Sequence, residues 1–113
     1  MENNAALLSI ERLQKLIGTP RDGALLRFSL GLEFTKLGEF SKAIEHLRRA
    51  VELDPGYSAA WRALGKALEG AGDAPAATRA FRDGIAAAQK KGDKQAEKEM
   101  TVFARRLEKK ANG

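Results

Sequence analysis

A register of thirty-four residues runs through the middle of this chain. Leu30-Gly31 recurs as Leu64-Gly65, Gly38 as Gly72, Ala43 as Ala77, and Leu47 as Phe81, each pair thirty-four residues apart. A shared offset of this kind constrains the fold more than composition does. It says that one supersecondary unit is used twice, and that each copy buries its apolar face against a neighbour. Inside each copy the apolar residues fall three and four apart, the period of a helix, with Gly38 or Gly72 between two such stretches. The unit is therefore a helix-turn-helix hairpin, and a glycine suited to a left-handed backbone ends its first helix.

Single positions support the same reading. Gly31 and Gly65 fall inside the first predicted helix of each unit, where glycine costs about 1 kcal/mol against alanine. That cost is tolerable where a second helix must approach the backbone closely. Ala43, Ala50 and Ala77 offer small surfaces on the opposing helix, and Phe34, Phe40, Leu47, Leu53, Trp61, Leu64, Leu68 and Phe81 are the large residues expected to fill between. Asp73 is the expected N-cap of the next helix, with Pro75 in its first turn. Asp54-Pro55 stops the second helix of the first unit, since a residue before proline avoids the helical region. The second unit has Gln89 in place of that proline, so its second helix is expected to run on to about Lys91.

The motif residues carry a resemblance. Trp61, Leu64 and Gly65 fit W-x2-L-G, and Ala77 and Phe81 fit A-x3-F; the first unit has Leu30, Gly31, Phe34, Ala43, Leu47 and Pro55 at the corresponding places. The chain resembles the tetratricopeptide repeat (TPR) family over two units, 24–57 and 58–91, which is 68 of its 113 residues. Leu68 stands where the pattern has Tyr, and Arg27 where it has Trp, which suggests a shallower contact at Arg27. The resemblance implies an all-α fold: an α-solenoid of antiparallel helix pairs, about six helices in a right-handed superhelix.

Two flanking segments supply the remaining helices. Residues 5–17 carry Ala6, Ile10, Leu13 and Ile17 at helical spacing, broadened by Leu7, Leu8 and Leu16 and followed by Gly18. Residues 93–110 carry Ala96, Met100, Phe103 and Leu107 on one face, with Asp93 as the expected N-cap. Glu99 stands where a third repeat would need glycine, so this last helix is expected to cap the array. The whole of 1–113 reads as a single domain.

Composition narrows the chemistry. The chain has no cysteine, which excludes disulfides and thiolate metal sites. No apolar run nears the roughly 18 residues that span a bilayer, and the segment MENNAALLSIERLQ is not patterned as a signal peptide. A soluble, cytoplasmic protein is expected. Of the net charge of +5, residues 90–113 supply four, with eight Lys/Arg against four acids. His46 is the only histidine and has no evident acid or base partner; Gly70-Ala71-Gly72 lacks the third glycine and the strand of a phosphate cradle. No catalysis, no cofactor and no metal are expected.

In the family that the chain resembles, the first helix of each unit lines a groove for a partner's peptide. The positions this implies are Leu25, Phe28, Leu32, Thr35 and Lys36 in the first unit, and Ala59, Arg62, Lys66 and Glu69 in the second. Phe28, Leu32 and Lys36 are four apart and share a stripe distinct from that of Leu30 and Phe34. Such a groove is apolar at one end and basic at the other, and suits a peptide with one apolar side chain and one carboxylate. Phe28 and Leu32 fall where chaperone-binding relatives place Lys and Asn, so a chaperone's C-terminal carboxylate is not the expected ligand. The expected function is a non-catalytic module that binds a peptide or partner protein. Two other readings compete with an open groove. The N-terminal helix or a second copy could cover Leu25, Phe28 and Leu32, and self-association through an open end or the groove would make a homodimer the functional unit. The basic last helix could contact nucleic acid, although it lacks interleaved exposed aromatics.

Overall fold

The computed structural model describes residues 2–113. They form six helices: α1 (Glu2–Gln14), α2 (Ala24–Lys36), α3 (Phe40–Leu53), α4 (Ser58–Gly70), α5 (Ala74–Lys91) and α6 (Lys94–Asn112). Each helix packs on the next in the chain, and α2 also meets α4, as α4 meets α6. Among the described residues the odd-numbered helices do not meet one another. Even helices drawn together while odd helices splay apart make a curved array, with α2, α4 and α6 on its inner side.

The two glycines of the repeat register lie where the hairpins close. A methyl group on Gly31 would run into the Leu47 side chain, and one on Gly65 into the Phe81 ring. Leu30, Ala43, Leu47, Ala50, Ala77 and Phe81 are fully buried around these contacts. Gly38 and Gly72 end α2 and α4 with φ of +73° and +83°, left-handed values that a side chain would strain. Asp73 and Asp93 cap α5 and α6, accepting from the backbone N–H groups of Ala76 at 3.1 Å and Ala96 at 3.2 Å. With no proline in its way, α5 runs to Lys91 and ends on Gly92, also left-handed.

A third close approach joins α6 to the second hairpin. A methyl on Gly84 would meet the Met100 sulfur and, at 2.7 Å, the Trp61 Cβ. Gly84 lies thirty-four residues after Ala50, so it takes the equivalent small-residue place in the second unit. Met100, Ala104 and Leu107 of α6 are buried, and the Phe103 ring sits tilted against Phe81 at 5.3 Å.

The structure departs from expectation in four places. The first helix covers Glu2–Gln14 in place of 5–17. Beyond it Ile17 is exposed, because the chain turns at Gly18, whose N–H donates to the Asp22 carboxylate at 2.9 Å. Leu7 and Leu8 are also exposed, so the buried stripe of α1 is the narrower Ala6 and Ile10, with Leu13 half-buried against the core. Leu53 is 41% exposed, since it ends α3 beyond the reach of α4 and fills no core space. Trp61 is half-buried, with its indole N–H reaching out to the Pro55 carbonyl at 2.8 Å.

Candidate functional site

The inner side of the array is walled by α2, α4 and α6. On α2 the face formed by Leu26, Leu30, Gly31 and Phe34 is buried. The neighbouring face carries Leu25, Phe28 and Leu32. Leu25 is 68% exposed and Leu32 38%, so α1 does not cover them. Phe28 is half-buried and rests on the ring of Tyr57 at a centroid distance of 5.0 Å. Lys36 closes the stripe and pairs with Glu33 at 3.1 Å.

The α4 wall is charged, and its charges reach across to α6. Arg62 pairs with Glu99 at 3.5 Å, and Arg106 with Glu69 at 3.0 Å. Between these pairs the Lys66 ammonium stands 4.0 Å from the centre of the Phe103 ring. Arg62 and Arg106 approach the same ring at 6.0 and 5.6 Å. Three cations thus gather round one aromatic ring, whose negative faces attract cations. Two are answered by carboxylates; Lys66 has no ion-pair partner among the described residues. All of these pairs are solvent-exposed, so each stabilises the fold by about 1 kcal/mol or less and can exchange partners.

The sequence-derived positions therefore separate into two walls. Leu25, Phe28 and Leu32 form an apolar strip on α2, while Arg62, Lys66 and Glu69 form an ionic strip on α4. Glu99, Phe103 and Arg106 were missing from the sequence reading of the site, because α6 was taken only as a cap. A signal was present: 99, 103 and 106 share one helical stripe beside the buried Met100 and Leu107.

His46 sits outside this site, on α3. Its ring stacks on Phe34 with centroids 5.6 Å apart, and its Nδ1 lies 3.3 Å from the Arg27 guanidinium. Burial, and then the Arg27 charge, hold its pKa below the usual 6.5. Arg27 itself makes a two-pronged contact with Asp22 at 2.9 and 3.1 Å, which holds that carboxyl at about 2. This cluster braces the α1–α2 turn against the first hairpin. No group of three acids or histidines converges as a metal site among the described residues, and no helix is long and apolar enough to cross a membrane.

An all-α array of stacked hairpins, closed at glycine contacts in a thirty-four-residue register, defines a helical-repeat solenoid. The TPR repeat profile matches residues 31–72. TPR repeat-containing protein PA0015 of Pseudomonas aeruginosa is 52% identical over 101 residues, spanning 89% of this chain and 96% of that protein. The chloroplastic TPR domain-containing protein PYG7 of Arabidopsis thaliana is 34% identical over 73 residues, 65% of this chain but 24% of its own length. Among solved structures, protein BPP2914 from Bordetella parapertussis superimposes with a TM-score of 0.77 at 46% identity, covering 89% of this chain and 88% of that one. The Sgt2 TPR domain from Aspergillus fumigatus gives 0.78 at 26% identity, covering 98% and 77%. The chain belongs to the tetratricopeptide repeat family, whose domains generally mediate protein–protein interactions.

Proposed function

We propose that this chain is a non-catalytic, cytoplasmic interaction module that holds a segment of a partner protein along α2, α4 and α6. The observation that carries this reading is the exposure of Leu25 and Leu32, at 68% and 38%, on a repeat helix whose other face is fully used by the core. Two large aliphatic side chains kept in water on an inward-curving wall favour an apolar anchor from outside. Lys66, set on the Phe103 ring without a carboxylate of its own, favours a negative group beside that anchor. The bound segment is then a short stretch with an apolar side chain for Leu25, Phe28 and Leu32 and a carboxylate for Lys66 and Arg62.

Leu25 and Leu32 are cleaner probes than Phe28, which supports Tyr57, or Arg62, which holds Glu99. Affinity capture is compared for the native protein, Leu25→Ser/Leu32→Ser and Lys66→Glu. Both variants are expected to keep the native melting temperature and to lose the partner. If both still recover the same partner, the groove is not the binding surface.

A further inference from the structure

The charges of α6 are sorted by sign. Its three acids all turn toward the rest of the molecule. Glu97 accepts from the Gln89 amide at 3.2 Å, Glu99 pairs with Arg62, and Glu108 pairs with Arg82. The Arg82 contact holds the Glu108 carboxyl below its usual range. The outward stripe carries Lys94, Lys98, Val102, Arg105 and Lys109, spaced four, four, three and four apart, and all five are exposed. No ion pair reaches any of its four cations among the described residues. The stripe spans about 22 Å at the rise of an α-helix.

A solvated cap does not call for this arrangement. Solubility at the end of an array is served by charges of either sign. Like charges four apart weaken a helix slightly, and this stripe carries two such pairs, Lys94 with Lys98 and Arg105 with Lys109. At the centre of the stripe stands Val102, an aliphatic side chain 62% exposed.

We propose that the outer face of α6 is a second docking surface, separate from the inner groove, for an acidic amphipathic helix of a partner protein. The cations would face Glu or Asp at matching helical spacing, and Val102 would meet one apolar residue. Val102 favours a protein over a nucleic acid, because a phosphate backbone offers it no apolar contact. No exposed aromatic side chain interrupts the stripe to stack on bases. A second copy of this chain does not fit either. At the start of α3 and along it, the acids Glu39, Glu45 and Glu52 are interleaved with Lys42, Arg48 and Arg49, so this helix presents no acidic stripe of the required length.

The test uses the full chain and a labelled synthetic helical peptide with Glu at four positions spaced as the stripe and Leu at the centre. A 20-base-pair DNA duplex and phosphatidylserine vesicles are titrated alongside. The peptide is expected to bind at low salt, more weakly as salt rises. Lys98→Glu/Arg105→Glu should weaken it about tenfold or more, and Val102→Ser by a few-fold, with far-ultraviolet circular dichroism unchanged. Lys66→Glu, in the groove, should leave peptide binding as it was. Failure of the peptide to bind at low salt overturns the proposal, as does binding indifferent to the double reversal. Tighter binding of DNA or vesicles than of peptide, insensitive to Val102→Ser, assigns the stripe to those anions instead.

Discussion

The two hairpins close on the same backbone geometry but fill it with different chemistry. In the first, Gly31 receives the branched side chain of Leu47; in the second, Gly65 receives the flat ring of Phe81. In the first, position 27 holds Arg, bound to Asp22 and beside His46; the equivalent position 61 holds Trp, bound to the Pro55 carbonyl. The inner helix of the first hairpin exposes leucine, and that of the second exposes ion pairs tied to α6. A repeat register thus fixes how helices approach, while the residues between the fixed points set what each hairpin can bind and how it responds to pH.

The difference can be broken or sharpened by experiment. The largest effect is expected at the centre of each hairpin. Phe81→Ala should cost about 3–5 kcal/mol and Leu47→Ala about 2–5, with Phe81 the worse because its ring also supports Phe103 of α6. Chemical denaturation gives both values, and a greater loss at Leu47 would remove the claim that α6 adds to the second hairpin. Next come the glycines. Gly65→Ala and Gly31→Ala should each destabilise by about 1–3 kcal/mol despite alanine's better helix propensity. Gly65 should suffer more, because a rigid ring has fewer ways to move aside than an aliphatic side chain.

Smaller still is the loss of one hydrogen bond. Trp61→Phe keeps most of the ring and removes the donor to Pro55, for an expected cost of about 1 kcal/mol; a thermal melt resolves it. The mildest contrast is in pH. Asp22 is held at about 2 against an ordinary 3.8, and His46 below 6.5. Both shifts are downward, so the unfolded chain binds the extra protons as pH falls. Stability from His46 is complete above about pH 6.5 and declines below it; stability from Asp22 is complete above 3.8 and is lost toward 2. Melting temperatures measured from pH 7 to 2 should fall less in His46→Gln over the upper part of the range and less in Asp22→Asn over the lower part. Equal slopes in both variants and the native chain would falsify the assignment of acid sensitivity to the first hairpin.

Much of this was readable in advance wherever backbone geometry demands a particular residue. Glycine at a left-handed turn, aspartate at a helix start and a small residue under an opposing helix have few substitutes, so Gly72, Asp73 and Gly65 announced their roles. Leu53 and Ile17 misled, because helical periodicity records which face a residue is on and not whether anything lies opposite it. The apolar strip of the candidate site was found from the resemblance. The α6 contribution was missed because the stripe of 99, 103 and 106 does not say which helix it will face, and the contact between Glu69 and Arg106 spans thirty-seven residues.

The sequence alone determined the hairpin, its period and its helix ends, since these follow from steric limits acting within a few residues. Tertiary structure decided which leucines stay in water, which carboxylates of α6 turn inward and which cations remain unanswered. Those outcomes depend on what each helix meets across space, and the same side chain is core, wall or free surface according to its neighbour.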